Sequence, residues 1–385
     1  MDMKELEKYI TEQRRELHRI PETAYEEYET RDHLIAALRE MGFDPEVFAG
    51  TGVSAVINGG TAGRTIALIS DTDGLAVREE TGLPFASRFA GRMHACGHDG
   101  HMAMVLGAAK KLCGIRNEIA GRVKLIFYPG EETGSGSERA VADGVMNGVD
   151  AVYGAHLWSD IPSGKVCIRP GAVMASSDAF TIKVTGKGCH GAMPDTGTDP
   201  ILAAAQIISA LQQIVSRKLD PLDAAVVSVC RIEAGTGWNI IPDTAVMQGT
   251  IRCFDSVLRD KLRKMVGDIS RDTAAAFGAG AEVSWESGSD VVVNNADCYD
   301  AAKDALADSF GRDAEYDYKG TMCGDDFAEY LKLKPGIFAM IGIADAERHT
   351  DFPQHNSRFD IDERVLLPGA ELAAAYALRW LEENK

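Results

Sequence analysis

Residues 65–70 read TIALIS and residues 123–128 read VKLIFY. Each is a short apolar run with the length and composition of a buried strand, and residues 102–113 between them carry apolar side chains at helical spacing. Strand, helix, strand in that order predicts an α/β layer on a largely parallel sheet. Acidic residues then fall just past the strand ends: Asp71 and Asp73 after the first, Glu131 and Glu132 after the second. In open α/β sheets that edge is where ligands bind.

Working outward, residues 5–19 and 31–41 have the spacing of amphipathic helices. From about residue 177 the rhythm changes. Residues 179–185 read as a strand, and 201–215 as a helix with Ile201, Ala204, Ile208, Leu211 and Val215 on one face. Strands follow at 224–233 and 245–253, then a helix over 257–277 with Leu258, Leu262, Met265, Val266 and Ile269 inward, and a last strand over 282–286. The order βαββαβ is that of a ferredoxin-like α+β unit. A chain of 385 residues exceeds one comfortable core. The expected organisation is therefore a first domain in two parts, 1–176 and 290–385, with the α+β unit 177–289 inserted. Residues 337–343 and 366–383 supply the returning strand and a final amphipathic helix.

Composition narrows the function. With 45% hydrophobic and 25% charged residues the chain is an ordinary globular one. A formal net charge of -18 repels phosphate backbones, which excludes nucleic acid as the expected partner. The charged start MDMKELEKYITEQRRELHRIPE lacks the apolar core of a signal peptide, and no apolar run approaches the roughly 18–20 residues that span a bilayer. The expectation is a cytoplasmic protein with no membrane partner. Its eight cysteines are scattered singly and read as reduced thiols.

One cysteine has unusual neighbours. Residues 93–102, MHACGHDGHM, place Cys96, His98, Asp99 and His101 in one short stretch. Thiolate, imidazole and carboxylate are the side chains that hold first-row divalent ions, and Gly97 and Gly100 let the backbone turn so that these side chains converge. As a thiolate Cys96 can bridge two cations, while His94 and His101 read as residues orienting the ligands. Glu131 and Glu132 offer a division of labour, in which one carboxylate binds metal and its neighbour acts as general base on a metal-held water, then as acid toward a leaving amine. By residue type alone Asp71 and Asp73 read equally as partners of the ligands or as solvated turn residues. His156 and His355 are lone histidines near strand ends. His190 sits in a glycine-rich loop, GKGCHGAMPDTG, that lacks the ending of a phosphate loop. Asn239 and Arg252 read alone as a loop cap and a strand-edge charge.

Taken together, RRELHRIPE, EETGLPFAS, MHACGHDGHMAM, the EE after FYPG, GAHLW, GKGCHGAMP, WNIIPDTA, GTIRCF and HNSRFDIDE span residues 14 to 363. In that order they resemble the M20 peptidase superfamily, and within it the amidohydrolase branch of hippurate hydrolases, N-acyl-amino-acid amidohydrolases and auxin-conjugate hydrolases. The resemblance implies a metallopeptidase-like catalytic domain with a two-metal centre and an inserted domain that serves as lid and dimer interface. It implies Cys96, His98, Glu132, His156 and His355 as metal ligands, Glu131 as general base, and Asp73 as an acid behind the ligands. His190, Asn239 and Arg252 match positions that contact the scissile carbonyl oxygen or the substrate carboxylate, His190 across a dimer interface in some arrangements. Departures are the sequence ISDTDGL at residues 69–75, where the family commonly has an arginine, Cys189 before His190, Trp238 beside Asn239, and GDDF at 324–327. None replaces an implied ligand or the base.

The expected function is thus metal-dependent hydrolysis of the amide bond in N-acyl amino acids or related conjugates, in a homodimer acting on small molecules. The cofactor is expected to be two divalent ions, zinc or manganese, with cobalt and nickel as further candidates. The competing readings are a dipeptidase or exopeptidase using the same centre, and a noncatalytic metal-dependent binding protein on that scaffold.

Overall fold

The computed structural model describes residues 2–286 and 288–385; Met1 and Ser287, the latter inside the expected 177–289 span, lie outside the described residues. From the N-terminus come α1 (Met3–His18), α2 (Tyr28–Glu40), β1 (Glu46–Phe48), β2 (Gly52–Asn58), β3 (Thr61–Asp71), α3 (His98–Gly114), β4 (Ala120–Tyr128), α4 (Gly136–Ala142), β5 (Ala151–Pro162) and β6 (Val166–Cys167). Next are β7 (Gly171–Met174), β8 (Asp178–Thr185), β9 (Cys189–His190), α5 (Pro200–Leu211), β10 (Ala225–Ala234), β11 (Ile240–Ile241), β12 (Thr244–Cys253), α6 (Ser256–Ala276) and β13 (Gly280–Trp285). The chain ends through β14 (Val292–Asn294), α7 (Tyr299–Ser309), α8 (Ala328–Leu333), β15 (Gly336–Ala344) and α9 (Leu366–Glu383).

These elements form two compact units. The first runs to Gly171 and resumes over Val293–Lys319 and Asp326–Lys385, and the second comprises Ala172–Val292 with a short strap, Gly320–Asp325. A contiguous span of 177–289 contains neither the strap nor the flanking residues.

The first unit is built on a seven-stranded sheet of order β1-β2-β4-β3-β5-β15-β6. Its middle is parallel, with β3 beside β4 and β5, and β15 beside β5 from Val152 opposite Gly336 onward; β1, β2 and β6 close the edges antiparallel. The runs read as strands are buried almost throughout, as parallel strands covered on both faces must be. Helix α3 packs against α1 and α9 and buries nearly every residue from His98 to Leu112, so it has almost no polar face to give to water. Helix α1 turns Leu6, Ile10, Arg14, Leu17 and His18 inward, so an arginine and a histidine share its apolar stripe.

In the second unit β10-β12-β8-β13 form an antiparallel four-stranded sheet, in chain order 2-3-1-4, as a βαββαβ ferredoxin-like unit requires. Asp199 caps α5 by accepting from the N–H groups of Ile201 and Leu202, and Asp255 caps α6 through Leu258. The expected helix over 201–215 stops earlier as an α-helix and ends in a π-helical turn, Ile214–Lys218. Among the described residues no helix is long and apolar enough to cross a membrane.

Candidate metal centre

Cys96 and His98 are brought together by Gly97, which caps the start of α3 in the left-handed region at φ 92. An L side chain there would be strained, and the reversal lets both neighbours face one side. Their atoms meet His156, which lies inside β5 and not near its end, Glu132 just past β4, and His355 in the segment between β15 and α9. Cys96, His98 and His156 form one triad of ligand-type atoms, and Cys96, Glu132 and His355 form another, each within 4.8 Å. Cys96 is common to both. The Cys96 Sγ lies 3.5 Å from His156 Nε2, and His355 Nε2 lies 3.3 Å from Glu132 Oε1.

Hydrogen bonds fix which ring nitrogens are available. His156 Nδ1 lies 2.8 Å from the Leu157 carbonyl, so it donates there and leaves Nε2 as the acceptor facing Cys96. His101 is used at both ends: Nε2 accepts from the Leu157 N–H at 2.9 Å and Nδ1 donates to Asp71 at 2.8 Å. A third triad, Asp71, His98 and His101, is therefore a poor metal site, because His101 has no lone pair to offer. His355 holds a left-handed backbone, φ 65, while its N–H donates to Ala95 at 2.7 Å. A non-glycine residue in that region is strained, and here the strain delivers an imidazole beside Glu132.

Asp73 organises the opposite side. Its two oxygens accept from the backbone N–H groups of Glu131 and Glu132 at 3.0 and 3.1 Å, and Oδ1 faces His98 Nδ1 at 3.6 Å. One carboxylate thereby sets the turn that presents both glutamates. The remaining nitrogen, His98 Nε2, lies 3.5 Å from Asp71 and 3.9 Å from each of Glu131 and Glu132.

This geometry concentrates negative charge. Burial alone would pull the His98 imidazole toward neutrality, but Asp71, Asp73 and Glu132 together hold its pKa well above the ordinary value. Burial pushes the Cys96 thiol up, and Glu132, Glu131 and Asp71 push it further. Four carboxylates around one imidazole leave a buried excess of negative charge, which divalent cations would balance. Both ring nitrogens of His98 and Oε1 of Glu132 are buried without a hydrogen bond; an ion would satisfy the Glu132 oxygen and one ring nitrogen, while the other carries the ring's proton. The donor set, a thiol, three imidazoles and carboxylates, suits first-row divalent metals.

Two residues of the sequence motif behave differently. His94 is buried with neither nitrogen hydrogen-bonded, so it orients no ligand, contrary to its reading as a flanking support. Burial pulls its pKa down to about 3. Asp99 points away from the triads and accepts from Arg14 Nε at 2.9 Å and His18 Nδ1 at 2.7 Å. Arg14 continues to Asp360 at 2.7 Å and to Glu363 at 3.3 Å, which ties α1, the start of α3 and the segment after His355 into one buried network. Burial opposes the His18 charge, but Asp99 outweighs it, with Glu79 helping, and raises the His18 pKa. A group so raised stabilises the fold fully below its unfolded value of about 6.5, and that stabilisation is lost as pH rises through the folded value. In urea unfolding, the stability difference between the protein and His18→Asn should be larger at pH 6 than at pH 9. A difference independent of pH would remove the ionic account.

The remaining expected site residues belong to the second unit. Strands β9 and β11 pair His190 with Ile240, and the Gly191 N–H donates to the Asn239 carbonyl at 2.8 Å, so His190 and Asn239 line one cleft of about 940 Å³. His190 Nδ1 accepts from the Ala192 N–H at 3.0 Å, which leaves Nε2–H as a free-facing donor. Arg252 does not line that cleft. It sits half-buried on β12 and donates to the Ile251 carbonyl at 2.9 Å and to Thr250.

Comparison with known proteins gives the same direction. Residues 67–379 match the description Peptidase family M20/M25/M40. The chain is 39% identical to an N-acetyl-L-cysteine deacetylase of Bacillus subtilis over 386 residues, covering 100% of this chain and 91% of that protein. It is 38% identical to thermostable carboxypeptidase 2 of Saccharolobus solfataricus, covering 98% and 97% of the two chains. The crystal structure of the Bacillus subtilis YXEP protein, described as a dinuclear metal binding peptidase, superposes with a TM-score of 0.86 at 36% identity, covering 98% of this chain and 99% of that one.

Proposed function

The chain belongs to the peptidase M20/M25/M40 family, which makes it a metal-dependent hydrolase of amide bonds, and we propose that it removes the acyl group from N-acyl amino acids or related amino-acid conjugates. The observation that carries the reading is the sharing of Cys96 between two triads, with Glu131 held beside them. Cys96, His98, Glu132, His156 and His355 would hold two divalent ions, with Cys96 as the common ligand. Zinc suits the thiol and imidazoles, manganese the carboxylates. When bound, such ions polarise the amide carbonyl and lower the pKa of water.

The chain's own residues do the rest. Glu131 takes a proton from the attacking water and delivers it to the departing amine nitrogen. Asp73 keeps Glu131 and Glu132 in their relative places through the two backbone N–H groups. His101, locked at both nitrogens, holds β5 at Leu157, beside His156. From the second unit, His190 Nε2–H would donate to the carbonyl oxygen as charge develops there, and Asn239 and Arg252 would hold the acyl oxygen or the free carboxylate. That unit would act as lid and as the contact between two copies, His190 reaching its own or the partner's site.

Restoring zinc, manganese, cobalt or nickel singly to metal-stripped protein, and following amine release from N-acetyl and N-benzoyl amino acids, aryl conjugates and unblocked dipeptides, tests this. N-acyl amino acids should be turned over at least about 10-fold better in kcat/KM than dipeptides, about 1.4 kcal/mol in transition-state binding. The carboxypeptidase relative favours a second reading, exopeptidase action at the same centre, and preference for dipeptides would select it. Metal binding without amine release from any substrate would instead indicate a binding protein, on which an intact Glu131 has no use.

A further inference from the structure

Helix α2 begins in an unusual way. Glu27 occupies its N-cap position, but its side chain makes no cap. That role falls to Glu22, five residues earlier, whose oxygens accept from Glu29 N at 3.1 Å and Thr30 N at 2.9 Å. The Glu27 carboxylate is fully buried instead. It accepts from the backbone N–H of Gly130 at 3.1 Å and from Thr51 Oγ1 at 2.6 Å.

Gly130 directly precedes Glu131. Its φ of 75 suits glycine, and a Cβ there would lie 2.6 Å from the ring of Tyr25. Tyr25 is itself one of four non-glycine residues with positive φ among the described residues, at 64, and its hydroxyl bonds to Thr133 Oγ1 at 3.1 Å and Ser135 Oγ at 2.9 Å. The stretch Tyr25–Glu27 therefore holds the glutamate turn just before and just after Glu131 and Glu132, on positions that Asp73 does not reach. A buried carboxylate that caps nothing, two residues from a strained one, is an arrangement with a local cost and no gain for α2. Burial, with Asp73 adding to it, lifts the Glu27 pKa to about 7, so the carboxylate is kept at a site that disfavours its charge.

We infer that Glu27 is a positioning residue for the amide hydrolysis, acting through the Gly130 N–H to fix where the Glu131 carboxylate stands. This rests on the reading of Glu131 as general base. Displacement of a catalytic group by about 1 Å can cost on the order of 100-fold in rate. Loss of one of several restraints should cost less.

The test uses the metal-loaded full chain and an N-acyl amino acid. Glu27→Ala should lower kcat about 10- to 100-fold, with KM changed less than about 3-fold and metal content unchanged. Glu27→Gln, which keeps length and the acceptor for Gly130, should stay within about 3-fold of the parent. Glu27→Asp, which keeps charge and loses reach, should fall with the alanine variant, and it replaces that variant if alanine does not fold. Combined with Glu131→Gln, Glu27→Ala should add little further loss, because a positioning effect vanishes with the group positioned. Full additivity of the two losses, equal loss in the glutamine and aspartate variants, or a folded alanine variant with parental kcat would each overturn the inference. Normal turnover by Glu131→Gln alone would instead remove the base assignment, a separate failure.

Discussion

Glu131→Gln should reduce turnover of N-acyl amino acids by about 10²- to 10⁴-fold, or about 3–5 kcal/mol of transition-state stabilisation, while the protein stays folded and keeps its metal. Glutamine is nearly isosteric and leaves both N–H groups of the turn on Asp73, so the change removes a proton acceptor and little else. Glu132, one residue on, provides the contrast. Its Oε1 faces His355 and belongs to a triad with Cys96, so Glu132→Gln should lose metal as well as rate. Elemental analysis beside steady-state kinetics separates the two. Glu131→Gln with near-parental kcat would end the assignment of Glu131 as base, and loss of metal from it would make Glu131 a ligand.

Cys96→Ala should remove both ions, where His156→Ala and His355→Ala should each weaken one. The reason is geometric: Cys96 belongs both to the triad with His98 and His156 and to the triad with Glu132 and His355, whereas His156 and His355 belong to one each. Activity of Cys96→Ala should fall below about 1% of the parent, in line with the loss of a metal's contribution of several kcal/mol. Stripping the parent with a chelator should have the same effect on rate and lower Tm by on the order of 10 °C, because ligand binding to the folded state alone is what stabilises it. Without ions Asp71, Asp73, Glu131 and Glu132 crowd one imidazole, His98. Retention of one full equivalent of metal by Cys96→Ala would show that the thiol serves a single ion.

Much of the site could be read before folding because its chemistry is local. Three ligand types lie within residues 93–102, and two adjoining glutamates follow the apolar run 123–128, so pattern and position agree. The parallel sheet and the ferredoxin-like order followed from the same apolar periodicity. What could not be read depends on partners distant in sequence. Arg14 and His18 look like charges on the wet side of a helix, and they are buried because Asp99, 85 and 81 residues away, meets both, with Asp360, Glu363 and Glu79 completing the network. Asp71 and Asp73 were equivalent in sequence and differ in space, one bound to His101 and the other to two backbone N–H groups. His94 shared the motif without sharing its hydrogen bonds. Glu27 gave no signal, since an acid near the start of a helix is ordinarily a solvated charge that suits the helix dipole.

The parallel pairing of β5 with β15 has a consequence for how the molecule comes into being. Twelve residues of β5, most of them apolar and buried in the finished sheet, are made long before the strand that covers their edge. At about 5–20 residues per second a ribosome needs roughly 9 to 35 seconds to travel from one to the other. For that time β5 presents open backbone groups to whatever other chain is near. The intervening unit has its own sheet and its own apolar core, so it can close on itself while β5 waits. Yield on expression should therefore depend on how well that exposed edge is sheltered during synthesis as much as on the stability of the finished enzyme.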